Sequence, residues 1–470
     1  MWQKPLIHRH KTLARLALYL GAALLPLLVW RLIHVLAVPI YVPGAGWYRP
    51  VEEFEAMEPV RLFQEYLRID TSPDGSEIAG AEYLAQQLAA AGIEAHVERL
   101  GDHHANLWAI VEGEDPKALV LHNHIDVDPI EHPERWEHPP FGAEIVPPWI
   151  YGRGAFDMKS VAIAQLMAVL ELKRSGIALR RSLIFLATGD EERGSRMGTR
   201  WLLRQHPELT ARFGAVLTEG GVVEALDPAT VKYWGTEIGQ KRFIDVTACH
   251  PRRDRLEALR EDVLAADKAS FKRYLTPELK AYFREYGPTR DLPELRRLLR
   301  RPERLLKGPE LTELPYYLQL TLRNDVASGR VSEDAGGGYS LPLLLALVPG
   351  IGLDEALPEL LPAWMTHGVD LAFDEPHPPA PLSSPQDPTF LAIDAFMERT
   401  VPGAVHGPMI LPATITDARF FRAAGIPSFG YSPFLILSTD TLQMAGSNER
   451  MALPAYVDGV ERYVALVRSL

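Results

Sequence analysis

The sequence predicts an α/β fold: a sheet covered by helices on both faces and interrupted by a smaller inserted unit. Three observations carry this. Short uninterrupted apolar runs alternate with longer stretches of helical spacing, the pattern of strands buried on both sides. Acidic residues stand just after several of those runs. Between about Arg252 and Leu306 the chain turns Arg-, Glu- and Leu-rich with few strand signals, and the alternation later returns.

The elements follow in order. Residues 60–68 have helical apolar spacing. Residues 79–91 (AGAEYLAQQLAAA) predict a helix closed by Gly92, a natural residue beyond a helix C-terminus. Residues 117–122 (KALVLH) are a short apolar run of buried-strand length, as are 182–187 (SLIFLA) and 213–217. Between the first two lies a helix at 160–175, stopped by Gly176. Proline-containing turns mark 358–362 and 376–381. A helix near 390–399, a strand-like 428–431 and a closing helix at 455–470 complete the pattern. A main domain in two parts, 51–238 and 376–470, enclosing an inserted α+β domain at 239–375, explains this order.

The N-terminus differs from the rest. Lys4, Arg9, Lys11 and Arg15 precede an apolar run over 16–30, which continues past Arg31 and His34 to Val38. A spanning helix needs about 20 residues. The continued run supplies them, with Arg31 snorkelling to the interface. The basic flank predicts a cytoplasmic tail and anchor at 1–42, a linker at 43–50 (PGAGWYRP) and a globular body on the non-cytoplasmic side of a membrane. A cleaved signal peptide is the rival expectation, although no small-x-small site follows the run. A buried helix of the folded domain is a third.

Charge and composition narrow the function. A chain of 470 residues with net charge −12 has no basic surplus to neutralise phosphates, which argues against nucleic-acid binding. The single cysteine, Cys249, rules out an intrachain disulfide, a Cys-rich zinc site and a CxxC redox motif.

Chemistry-bearing residues stand where the apolar runs end, and ligands in open α/β sheets bind beyond the carboxyl ends of strands. The run at 117–122 leads into His124-Ile125-Asp126, whose alternate side chains point the same way along extended backbone. An imidazole ligand steadied by a carboxylate has this form, and so does an ordinary solvated pair. Asp157 closes a glycine-punctuated loop (YGRGAFD) just before a helix, as a metal ligand or as an N-cap. Asp190, Glu191 and Glu192 crowd the end of SLIFLAT; such crowding is unfavourable unless a cation or proton relieves it. Glu219 follows FGAVLT.

Together, HNHIDVDP, Trp136 with PPFG, IYGRGAFDMKS, ATGDEERGS, LTEGG and the later ATITDARFF with GIPSFGYSP resemble the successive motifs of the zinc-dependent aminoacylase, carboxypeptidase S and glutamate carboxypeptidase superfamily. The N-terminal hydrophobic segment and the long insert look most like the carboxypeptidase S branch. The resemblance implies a zinc-exopeptidase-like sheet and an inserted lid or dimerisation domain. It implies two zinc ions bridged by Asp157, one bound also by His124 and Glu219, the other by Glu192. Asp126 would orient His124, and Glu191 would be the general base. Arg419 in TDAR would take the substrate's free carboxylate, with a structural salt bridge as the alternative. The substrate would be a small peptide or an N-acyl amino acid, and the protein a homodimer.

Two departures stand against this pattern. The histidine expected four residues before Glu449 is Ala445; the second ion would keep only Asp157 and Glu192, so of the two zinc ions that the resemblance implies the expectation is that one is firmly held. The Gly-His-Ser-like motif of the insert is reduced to Thr247-Ala-Cys-His250-Pro, with His250 the candidate for the oxyanion. These departures favour a second expectation, a non-catalytic homologue that binds peptides or a partner. His103, His104, His132, His138 and His406 match no family position and are expected mostly in exposed loops.

Overall fold

The computed structural model describes residues 49–470 apart from 228–229, 308–311, 335, 363, 365–366, 374–380 and 438–443. The anchor at 1–42 and most of the linker lie outside these residues. Among the described residues no helix is long and apolar enough to cross a membrane.

Nine of the described strands form the main sheet: β1 (Ala95–Leu100), β2 (His104–Val111), β3 (Asp115–His124), β4 (Arg181–Thr188), β5 (Phe213–Thr218), β6 (Val222–Asp227), β7 (Thr230–Gln240), β8 (His406–Leu411) and β9 (Ser428–Gly430). Their spatial order is β1-β2-β4-β3-β5-β9-β7-β8, with β6 beside β7. The sheet is mixed. β4, β3, β5 and β9 run parallel, so their carboxyl ends open on one edge. β1 and β2 are antiparallel additions at one side.

Period-two alternation explains why the central strands read as unbroken apolar runs. Leu119, Leu121, Leu183, Phe185, Ala187 and Leu217 face the larger core. The residues between them, Ala118, Val120, Ile184, Leu186 and Val216, pack with Leu202 and Phe421 on the other face. Neither face meets water, so neither needs polar residues. Helices α1 (Glu58–Leu67), α2 (Glu77–Ala90), α3 (Lys159–Ser175) and α4 (Leu453–Ser469) contribute to the larger core. In α2 the Ser76 hydroxyl accepts from Ala79 N and caps the first turn. Helix α3 is buried on nearly all sides and stops at Gly176, whose φ of 64° is open to glycine.

A second sheet pairs Arg242–His250 with Tyr339–Leu347 and Asp370–Phe373, with Asp325–Ser328 and Ser332–Glu333 beside Tyr339–Leu347. Helices Arg253–Ala265 and Leu353–Leu360 give it a core of its own. The helices expected between 252 and 306 are present, but they divide. Pro277–Tyr286 buries Leu279, Tyr282, Phe283 and Tyr286, a single stripe at helical spacing, and that stripe joins the larger core beside β8. Of the α-helices in this stretch, Arg253–Ala265 is the one whose buried residues join the core of the small sheet.

Candidate active site

The parallel edge gathers the residues that end the apolar runs. His124 closes β3. Its Nδ1 lies 2.9 Å from the Asp126 carbonyl, which can only accept, so Nδ1 carries the hydrogen and Nε2 turns to the acids. Nε2 lies 3.1 Å from Asp157 Oδ1 and 3.8 Å from Glu219 Oε1. Burial opposes charging this imidazole, but Glu219, Asp126 and Asp157 outweigh it and hold its pKa well above the usual histidine range. The acids therefore favour a positive charge at this point.

Asp126 steadies His124 mainly through its backbone. Its carboxylate lies 3.6 Å from Nδ1 and instead accepts from Glu191 N and Glu192 N, each at 3.0 Å. One residue thus orients the imidazole and clamps the turn bearing the two glutamates. That turn is held from behind as well. Asp190, at φ 60°, accepts from Met197 N, and the buried Glu77 accepts from Asp190 N and Ala105 N. A Cβ on Gly189 would stand 1.8 Å from Glu77 Oε2, so only glycine fits there.

Glu191 is buried, and its Oε1 has no hydrogen-bond partner. Burial, then the nearby Asp417, pushes its carboxyl well above the carboxylate range. Burial and Asp157 push Glu192 up to about 11 and Glu219 up to about 7. These groups crowd one space: His124 with Asp157 and Glu192, and His124 with Glu191 and Glu219, form two sets whose ligand atoms lie within 4.8 Å of one another. A bound cation would relieve the repulsion that burial intensifies.

Asp157 is placed by Glu449, which sequence alone left without a role. Its carboxylate accepts from Phe156 N at 2.7 Å, Asp157 N at 3.1 Å, Gly154 N at 3.1 Å and Arg153 at 2.8 Å. Asn448 meanwhile ties the same segment to Glu137 N and the Arg135 carbonyl. Ala445 has φ 58° and turns an exposed methyl group to the cavity wall.

Over these groups lies a cavity of about 470 Å³, with Glu191, Glu192, Asp157 and Glu219 at its polar end. Val161, Val223, Leu411, Ile415, Phe434 and Ile436 make much of the remainder apolar. Arg419 lines an adjoining cavity of about 380 Å³ that shares Glu192, Gly194 and Ile415 with the first. Its guanidinium donates to the Thr416 carbonyl at 2.8 Å and stands 3.6 Å from Glu191 Oε1. His250 is not brought to either cavity of its own chain. It ends a strand of the small sheet, where its Nδ1 accepts from Arg252 N.

Sequence reasoning missed His122, buried beneath the site and hydrogen-bonded to Thr218, Thr188 and Thr199. Burial lowers its pKa to about 3, so it stays neutral. The loop histidines are more enclosed than expected: His406 is 10% exposed between Asp394 and Glu398, and only His132 is open to solvent. His103 and His104 gather with Glu77 into a further set able to hold a metal ion.

One imidazole and a ring of buried and half-buried carboxylates, at the carboxyl ends of parallel strands beside a largely apolar cavity, define a metal-dependent hydrolase. The family model for Peptidase family M20/M25/M40 matches residues 120–469, and the chain belongs to that family. It is an enzyme of the metallopeptidase and amidohydrolase kind. It is 29% identical over 437 residues to aminoacylase-1B of Rattus norvegicus, covering 87% of this chain and 95% of that protein. Its fold is similar to that of an M20 family metallo-carboxypeptidase from Sulfolobus solfataricus, with TM-score 0.66, 19% identity, and 88% and 99% of the two chains covered. It is also similar to a dinuclear metal binding peptidase from the M20 family of Bacillus subtilis, with TM-score 0.52, 11% identity, and 89% and 99% covered.

Proposed function

We propose that the protein hydrolyses the amide bond of an N-acyl amino acid or small peptide beside a free carboxylate, with Glu191 as general base. The observation that carries this is the meeting of His124 with Asp157 and Glu192 on one side and with Glu191 and Glu219 on the other, where the buried Glu191 Oε1 makes no hydrogen bond. His124, Asp157 and Glu219 would hold one zinc ion, and Asp157 and Glu192 would take part in holding a second. Imidazole and carboxylate donors suit zinc. When bound, the metal supplies Lewis acidity to the scissile carbonyl and lowers the pKa of water. Glu191 then accepts the proton that water releases and passes it to the departing amine. Its enclosure keeps its basicity high enough for that transfer. Arg419 lines the adjoining cavity, 3.6 Å from Glu191 Oε1, and would pair with the substrate's carboxylate, a geometry that guanidinium favours. The apolar wall takes the acyl or side-chain portion.

Similarity to aminoacylase-1B supports an N-acyl amino acid as substrate. The basic and apolar segment at 1–42 supports a single-pass anchor, with the catalytic body on the non-cytoplasmic side. His250 would reach a site only in a homodimer, from a second copy. Ala445 favours a second reading, a non-catalytic homologue that binds peptides or a partner through the same cleft. Hydrolysis of a panel of dipeptides and N-acyl amino acids, with zinc supplied, separates the two. Release of amino acid that disappears in Glu191→Gln is expected. Release unchanged in that variant would overturn the assigned base, and no release from folded protein would favour the binding reading.

A further inference from the structure

Outside the cavity, two imidazoles and a carboxylate meet where α2 and β2 begin. Glu77 opens α2, and His103 and His104 lead into β2. Their ligand atoms lie within 4.8 Å of one another. The Glu77 side chain is only 2% exposed, and burying a carboxylate is costly unless it is paired. Among the described residues no lysine or arginine pairs with it. The groups within ion-pair distance are the two histidines.

The imidazoles are held as ligands need to be. His103 Nδ1 lies 2.9 Å from the Gly75 carbonyl, which can only accept, so Nδ1 carries the hydrogen and Nε2 keeps its lone pair. That Nε2 stands 3.7 Å from Glu77 Oε1, too far for a hydrogen bond. His104 Nδ1 stands 2.9 Å from the same oxygen. Ligand atoms ~2.0–2.1 Å from a tetrahedral zinc ion are about 3.3 Å from one another. The two separations lie on either side of that value. The side chains of His103 and His104 are 29% and 25% exposed, so an ion can enter from solvent and keep water as its fourth ligand.

We propose that Glu77, His103 and His104 bind a divalent transition-metal ion of the zinc class, at a site separate from the cavity. Two imidazoles and one carboxylate suit such an ion better than magnesium or calcium. The ion takes the place of the hydrogen that His104 Nδ1 donates to Glu77 Oε1, and the imidazole then carries its hydrogen on Nε2. Glu77 Oε1 also accepts from Asp190 N at 3.2 Å, and Oε2 accepts from Ala105 N at 3.2 Å. One carboxylate thus joins the ion to the turn that carries Glu191 and Glu192.

The test is zinc content of the full chain after equilibrium dialysis against buffered free zinc. The variant is His103→Asn with His104→Asn, because each asparagine amide can keep the donation to the Gly75 carbonyl or to Glu77 while no imidazole remains. It is expected to bind one equivalent fewer than wild type. Asp157→Asn, which strikes the cavity set instead, is expected to keep this equivalent. Equal zinc in wild type and the double variant would overturn the proposal, whatever the cavity holds. Equal zinc in wild type and Asp157→Asn, with one equivalent lost from the double variant, would support this site and count against metal in the cavity, so the two readings fail separately. Should the double variant fail to fold, zinc-edge anomalous diffraction from wild-type crystals grown with zinc decides directly: a peak between Glu77, His103 and His104 supports the site, and its absence overturns it.

Discussion

At the scale of single residues, the site is governed by acceptors that serve several donors at once. Glu449 is the clearest case, because one buried carboxylate satisfies three backbone N–H groups and the Arg153 guanidinium. Glu449→Gln would set an NH2 group against some of those donors and leave Arg153 buried without its counter-charge. Loss of one partner of such a pair typically destabilises by about 3–5 kcal/mol. Denaturant unfolding is expected to show a loss of that order, together with weaker metal binding because Asp157 loses its anchor. Unchanged stability would show that solvent enters and replaces the contact. Asp126 acts similarly, and Asp126→Asn is expected to lower kcat/KM and weaken metal binding, since an amide can accept from only one of Glu191 N and Glu192 N. A variant with wild-type kinetics and metal affinity would remove Asp126 from the clamp. Much of this site was legible in the sequence. His124, Asp157, Glu191, Glu192 and Glu219 each follow a strand or open a helix, and their motifs are local. The HxD spacing marks Asp126 as a neighbour of His124, but which of its oxygens meets the imidazole depends on the path of the chain after β3. Glu449 was not legible as a site residue, because its partners lie more than 290 residues away in sequence.

At the scale of elements, apolar runs buried on both faces betrayed themselves, and polar buried strands did not. β5 carries no charge, and β3 from Ala118 and β4 from Ser182 carry no acid, lysine or arginine, so their positions followed from composition. β7 contains Lys232, Thr236 and Glu237 and two glycines, which read as loop chemistry. Its Glu237 is buried because Arg422, from a helix nearly two hundred residues later, bonds to it there. Lys241, between β7 and the first strand of the small sheet, illustrates the same point. It is fully buried, and its Nζ donates to the Arg323 carbonyl at 2.6 Å. Burial, only partly offset by Asp325, lowers its pKa to about 7. In the unfolded chain a lysine keeps its proton to about pH 10.4. Between these values the unfolded state binds the extra proton, so unfolding free energy rises with pH, by up to ~1.4 kcal/mol per unit. Below pH 7 the folded state bears the full penalty of the buried charge. Lys241→Met is therefore expected to gain most over wild type near pH 6.5 and to lose that advantage by about pH 10. Parallel denaturant titrations of both proteins check this, and a difference independent of pH would mean that Lys241 stays charged.

At the scale of the whole molecule, the site fastens distant parts of the chain to one another. β3, the loop before α3, the turn after β4 and the end of β5 each bring an acid or imidazole to the same edge, while the segment before α4 holds that loop through Glu449. Without a cation this convergence is a burden, since buried carboxyls must take up protons or repel. With one, it becomes a cross-link that the unfolded chain cannot reproduce. A ligand bound only by the folded state, at 100 times its Kd, stabilises by about 2.7 kcal/mol per site. Chelation is thus expected to lower Tm, and readdition of zinc to restore it. The size of that effect should depend on pH in a definite direction. Metal binds the deprotonated groups, and with Glu219 raised to about 7 and Glu192 to about 11, protons compete more strongly as pH falls from 8 to 6. The difference in Tm between zinc-loaded and chelated protein should shrink over that interval, as the protonated apo protein loses its internal repulsion and the metal its ligands. Scanning calorimetry at several pH values, with and without chelator, measures this. A Tm indifferent to chelator at pH 8 would mean that the acids are accommodated without a metal ion, and that the fold does not depend on one.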